Sequence, residues 1–202
     1  LKIPNSPTDH VMTKTTYLSD PEGNGIELYC ESPEDGSWMI KDGNYEARWA
    51  DGRWSDGREA LDVDALFKHI NEDDRLDVNV PAETRMGHVH LHVRDIPEAV
   101  DFYHGVLGFD VMGISKGIGM AFVSAGGYHH HIGLNTWNGR GAPPPPPDAV
   151  GLRFMTVDYP NPSTLAEVTA RVEAAGIPYN KTDDGYLLHD PSQNGVLLRS
   201  VG

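Results

Sequence analysis

Residues 87–111 read GHVHLHVRDIPEAVDFYHGVLGFDV, and this stretch decides the fold. His88, His90 and His92 fall on one face of an extended chain while Val89, Leu91 and Val93 fall on the other, the pattern of a strand with one buried face. Asp95 then offers an N-cap, with Pro97 in the first turn and Glu98 three residues after the cap. Ile96, Val100, Tyr103 and Leu107 form the apolar stripe of a helix that Gly108 ends. A second strand follows at Phe109. The apolar face of the first strand must meet the helix, so the three histidines look to the opposite side of the sheet.

The same order of elements returns about 65 residues later. GLRFMTVDYP from Gly151 and GIPYN from Gly176 enclose a helix-like stretch. In it Thr164 and Glu167 make a capping-box pattern, Leu165, Val168 and Val172 make the stripe, and Gly176 is the stop. Further strand-like runs follow each helix, MAFVSAGGYHHHIGLN at 120–135 and YLLHDPSQNGVLLRS at 186–200. Each unit therefore reads as βαβββ, and the fold class as α+β. LSDPEGNGIELY at 18–29 copies LHDPSQNGVLLR at 188–199, each with Asp-Pro and Asn-Gly at the predicted turn. Residues 1–35 are accordingly expected to be the end of an N-terminal module, 36–84 a Trp-rich linker with a short helix, and 85–202 a C-terminal module of two units, 85–142 and 150–202. A complete protein of this design would hold four units. Trp38, Trp49 and Trp54 in the linker are expected to pack against a domain. The five prolines at 143–147 suit an extended connector.

Sixteen Lys and Arg against 30 Asp and Glu give a net charge of −14, which repels a phosphate backbone and argues against a nucleic-acid partner. No apolar run approaches the roughly 20 residues that cross a bilayer, and no secretory signal opens the chain, so no membrane partner is expected. A single cysteine, Cys30, cannot form an internal disulfide and fits the reducing cytoplasm. The chain starts at Leu1, so a preceding N-terminal segment, or a homo-oligomer, is expected to complete it.

GYHHHIGLN at 127–135 places three histidines in a row. Strand alternation carried back from Ile132 and Leu134 puts Tyr128 and His130 on the helix side and His129 and His131 on the face of His88. Such a face is either the polar side of a half-exposed sheet or a site, since neutral imidazole is a ligand for Fe, Mn, Zn and Cu.

The repeat carrying GHVHLHVRDIPEAVDFYHGVLGFDV resembles the vicinal oxygen chelate superfamily, which contains glyoxalase I, bleomycin-resistance proteins, fosfomycin-resistance enzymes and extradiol ring-cleavage dioxygenases. Its layout is most similar to two-module bacterial catechol-2,3-dioxygenase-like proteins. The resemblance implies curved mixed sheets that form cups, with helices outside and a metal or ligand inside. TDHVMTKTTYLSDPEGNGIE at 8–27 resembles the extradiol signature at Thr8, His10, Tyr17, Asp20, Pro21, Gly23 and Glu27, and departs from it at Thr16. It implies that Glu27 is the carboxylate of a 2-His-1-carboxylate metal face, with His10 and Tyr17 acting on substrate and oxygen. By the same resemblance His88 is the first metal histidine of its module. His131 falls near the acid–base histidine, or near the metal position that closes the first unit of a glyoxalase-like cup. His129, on the same predicted face, joins the catalytic candidates. Two departures stand out: Leu152 or its neighbour occupies the place of the second metal histidine, and Leu197 that of the final carboxylate. The implied cofactor is a divalent metal, Fe(II) ahead of Mn(II) or Zn(II), and the implied substrate a small catechol-like aromatic diol. A glyoxalase-like isomerase, lyase or transferase and a metal-free ligand-binding resistance protein are the alternatives.

Overall fold

The computed structural model describes residues 3–42, 44–75, 77 and 79–202. Contacts divide the chain into two units, Leu1–Arg85 and Met86–Gly202.

In the first unit, alternating Thr and Tyr residues and an Asp-anchored turn build an antiparallel meander. β1 (Asn5–Asp9), β2 (Thr13–Ser19) and β3 (Gly25–Glu31) pair in order, with Ser6 opposite Tyr17 and Tyr17 opposite Glu27. Residues 36–60, expected as linker, form strands: β4 (Gly36–Lys41), β5 (Asn44–Trp49) and β6 (Trp54–Ser55) make a separate antiparallel sheet. β7 (Glu59–Ala60) then returns to the edge of β1, pairing Asp9 with Glu59 and Thr8 with Ala60. Trp38 stacks on Tyr45 at 5.5 Å and 27°. A short helix, α1 (Val63–Phe67), follows, capped by Asp62 on the amide of Ala65 at 2.9 Å.

The second unit contains two copies of one topology. The first comprises β8 (Val89–His92), α2 (Ile96–Val100), a π-helical turn (Asp101–Val106) that continues α2, then β9 (Asp110–Ser115), β10 (Met120–Ser124) and β11 (Ile132–Asn135). The second comprises β12 (Met155–Tyr159), α3 (Pro162–Ala174), β13 (Tyr179–Thr182), β14 (Gly185–His189) and β15 (Gly195–Ser200). The sheets run in the orders β8-β11-β10-β9 and β12-β15-β14-β13. In each, the first and last strands are parallel and the other pairings antiparallel. This is the α+β, βαβββ architecture.

Asp95 caps α2 as expected, accepting from the amide of Glu98 at 3.0 Å. The second helix differs: its cap is Asn161, whose Oδ1 accepts from the amide of Thr164 at 2.9 Å, and not Thr164. Pro162 has its φ already set for the first helical position and no amide to satisfy, so the helix starts before Thr164. The turns also depart from a two-residue Asn-Gly hairpin. Asp20 Oδ1 accepts from the amides of Glu22 and Asn24 at 2.9 and 2.8 Å, and Asp190 Oδ1 from those of Ser192 and Asn194 at 2.8 Å each. The left-handed residue is the one before each Asn, Gly23 with φ 87° and Gln193 with φ 70°.

Leu91, Val93, Ala121, Val123, Ile132 and Leu134 of the first copy share one core with Val168, Val172, Leu188, Val196 and Leu198 of the second. Burying each of the larger ones contributes roughly 1.5–3 kcal/mol. A polar clasp crosses this core. Tyr103, fully buried, donates to Asp190 Oδ2 at 3.0 Å, and burial together with the Asp190 charge pushes its phenol well above the ordinary range. The prolines 143–147 lie outside helices and strands. Among the described residues no helix is long and apolar enough to cross a membrane.

Candidate functional site

In the first unit, the register of β2 on β3 puts Tyr17 directly across from Glu27, and the turn after β1 delivers His10 to the same place. The His10 ring meets the Tyr17 ring edge-on at 5.9 Å. His10 Nδ1 lies 2.5 Å from the carbonyl oxygen of Gly57 and Nε2 lies 2.8 Å from the Tyr17 hydroxyl. A carbonyl only accepts, so Nδ1 carries the proton, and in neutral His10 the Nε2 lone pair receives the hydrogen bond of the Tyr17 hydroxyl. Glu27 Oε1 is 3.9 Å from His10 Nε2 and accepts from the hydroxyl of buried Thr15 at 3.2 Å. Burial first, and the Glu27 carboxylate second, hold Tyr17 well above the ordinary phenol range, against an opposing pull from Arg58. Tyr17 therefore stays protonated and acts as a donor between His10 and Glu27.

The turn that presents His10 is strained. Val11, fully buried, takes φ 73°, a left-handed conformation costly for a β-branched residue. Asp9 Oδ1 holds it by accepting from the Val11 amide at 2.8 Å, and is itself paired with Lys14 Nζ at 3.0 Å. Two contributors escaped the sequence reading. Thr15 shares the β2 face of Tyr17, so alternation alone could have found it. Gly57 acts through its backbone 47 positions away, and no side-chain pattern marks it.

In the second unit, His90 and His92 are exposed on the face away from the helix while Leu91 and Val93 are buried in the core, as alternation requires. Asn135 on β11 joins them: its Oδ1 accepts from His92 Nδ1 at 2.7 Å and from the amide of Trp137 at 3.0 Å, and its Nδ2 meets His90 Nδ1 at 2.8 Å. The His90 ring covers Gly133, where a Cβ would come within 2.6 Å of it, and stacks on Trp137 at 5.4 Å and 23°.

The placement of the histidine triplet is corrected. β11 begins only at Ile132, after a turn with Gly126 and Gly127 at φ 67° and 79°, so alternation does not extend back to residues 129–131. The His130 ring packs at 4.3 Å on His88 and at 4.5 Å on Phe122, the residue between core-facing Ala121 and Val123. His130 thus lies on the face of His88 and not on the helix side. Burial, reinforced by the neighbouring imidazoles, depresses its pKa to about 2. His129 touches it, with the two Nδ1 atoms 2.8 Å apart, and its ring lies 6.3 Å from that of His88. His131 is exposed; its Nδ1 accepts from Ser124 Oγ at 2.9 Å and from the Ala125 amide at 3.3 Å. Tyr128 packs on His129 and His131.

The metal candidates implied by the sequence fall in different units, Glu27 in the first and His88 and His131 in the second. In the first unit the candidate donors are Glu27 and His10, and both His10 nitrogens are engaged. In the second, His131 Nδ1 is engaged by two donors, which puts its proton on Nε2. Among the described residues no group of three His, Cys, Asp or Glu side chains is placed to hold a metal ion.

A family model described as Glyoxalase/Bleomycin resistance protein/Dioxygenase superfamily matches residues 85–194, more than half of the chain. The chain belongs to this superfamily. This superfamily member is 42% identical over 183 residues to a protein named catechol-2,3-dioxygenase from Bacillus subtilis (strain 168), an alignment that covers 91% of the chain. It spans 60% of that relative's length. Similar solved structures include a lactoylglutathione lyase from Agrobacterium tumefaciens, at 23% identity and TM-score 0.44, covering 60% of this chain and 96% of that one. A glyoxalase/dioxygenase from Nostoc punctiforme gives 15% identity and TM-score 0.48, covering 63% and 98%.

Proposed function

We propose that this superfamily member carries the proton-handling part of an extradiol-type ring-cleavage dioxygenase acting on a catechol-like aromatic diol. The observation that supports this reading is the cluster of His10, Tyr17 and Glu27, at positions that resemble the extradiol signature, in a chain 42% identical to a relative named catechol-2,3-dioxygenase. A diol hydroxyl entering beside His10 displaces the Tyr17 hydroxyl and gives its proton to Nε2. The Gly57 carbonyl keeps Nδ1–H in place, and the Tyr17 hydroxyl turns its hydrogen bond to Glu27. A positioned base of this kind contributes about 10²- to 10⁴-fold in rate. The proposed cofactor is a divalent metal, Fe(II) ahead of Mn(II) or Zn(II); because no three-ligand face is formed by the described residues, no step is assigned to it. The single cysteine, Cys30, is consistent with a cytoplasmic enzyme.

Aerobic incubation with Fe(II) and catechol tests the proposal by the coloured ring-opened product. His10→Ala is expected to lower kcat by about 10²- to 10⁴-fold. Absence of turnover over a panel of diols, with iron demonstrably bound, refutes it. Activity that persists without dioxygen refutes it in favour of isomerase-type chemistry.

A further inference from the structure

We propose that the Trp-rich extension is a positioning device for His10, in which the Gly57 carbonyl holds the imidazole in its Nδ1–H tautomer and keeps the Nε2 lone pair turned toward Tyr17. The inference rests on the reading of His10 as the base of the proposed reaction, and its structural half can be measured independently. Residues 36–60 precede the matched family segment, which begins at residue 85.

The contact that defines the device is Gly57 O to His10 Nδ1, at 2.5 Å. In the opposite tautomer the carbonyl would face a ring lone pair, two acceptors with no proton between them. Free imidazole in water has no such partner, so the selection comes from the position of the carbonyl.

Four observations show that this position is built. Gly57 has φ 73°, which glycine adopts without strain. Its amide donates to the hydroxyl of Ser55 at 2.9 Å, and Ser55 is fully buried. A Cβ at residue 57 would overlap the Tyr45 ring, so the turn rests directly on that ring, and Trp38 stacks on Tyr45 from the same sheet. Both ends of the turn are tied into strands: Ser55 pairs with Ala47, and Glu59 pairs with Asp9, the residue that precedes His10. Tyr45, backed by Trp38, thus supports one backbone carbonyl, and that carbonyl sets the protonation geometry of one histidine.

The test is nitrogen NMR of the full chain labelled with ¹⁵N at histidine, the His10 signals being assigned by their loss in His10→Gln. In the unmodified protein His10 is expected to show a protonated Nδ1 and an unprotonated Nε2. Gly57→Ala forces the turn off Tyr45, and Ser55→Ala, the milder variant, releases the Gly57 amide without adding bulk. Both are expected to give mixed tautomers at His10, and a kcat lowered about tenfold or more with little change in KM, as misplacement of a catalytic group does. Tyr45→Phe keeps the ring under Gly57 and is expected to preserve the tautomer. An Nε2–H tautomer in the unmodified protein overturns the inference. So does an unchanged Nδ1–H tautomer in a folded Ser55→Ala protein. A correct tautomer in a protein with no turnover overturns the proposed reaction and leaves the positioning role standing.

Discussion

His130 predicts an acid weakness confined to the second unit. Its ring is packed between His88 and Phe122, and burial lowers its pKa from 6.5 to about 2. Below pH 6.5 the unfolded chain binds a proton at this residue that the folded chain refuses until pH about 2, so stability falls as pH drops through that window and is regained as pH rises to 6.5. Well below 6.5 the loss approaches about 1.4 kcal/mol per pH unit, and between about pH 7.5 and about pH 5 it sums to roughly 2 kcal/mol. Hydrogen exchange of the β10 and β11 amides, corrected for intrinsic exchange, reports this free energy for the second unit alone. His130→Gln removes the titrating group, and the difference in stability between the two pH values is expected to shrink by that amount. An acid loss of equal size in the native protein and in His130→Gln would refute the reasoning. Depressed His131 remains in both proteins and cancels from the comparison.

Tyr17→Phe removes the donor to His10 Nε2; it is expected to cost about 1 kcal/mol in urea unfolding and to lower kcat in the catechol assay by more than tenfold. Gly133→Ala drives a methyl into the His90 ring and is expected to destabilise the second unit by about 1–3 kcal/mol, seen as faster exchange of the β11 amides. Asn161→Ala should cost about 1 kcal/mol through loss of the α3 cap, whereas a cap at Thr164 would give the larger loss in Thr164→Ala; urea unfolding of the two variants separates the cases.

The second unit was legible because its signals are local. Six alternating residues at 88–93 sort into histidines away from the core and apolar residues toward it, and Asp95 and Gly108 mark the ends of one helical segment. The structure departs from the local rules where an element ends. Alternation ends short of His130 because residues 128–131 lie in a bent segment outside β11, which starts only at Ile132, and the Thr164 pattern does not cap α3 because Pro162 has already started the helix. The triad of His10, Tyr17 and Glu27 was legible only through a resemblance, since His10 sits in a turn with no periodicity. Its hydrogen-bonding partner was illegible for a physical reason: a backbone carbonyl is offered by every residue, and only the fold selects Gly57.

Asn135 sets a polarity on two otherwise similar neighbours. The Trp137 amide fixes which end of the carboxamide is oxygen, so the oxygen must take a proton from His92 and the nitrogen must give one to His90. His92 is thereby a ring with Nδ1–H and His90 a neutral ring with Nε2–H, two imidazoles of opposite sense on one strand. Exchanging the amide for a carboxylate in Asn135→Asp would erase the distinction, because both rings would then present protons to the same acceptor and His90 would gain reason to become cationic. One amide on β11 thus writes a direction into β8 that the repeated letters His-Leu-His do not contain.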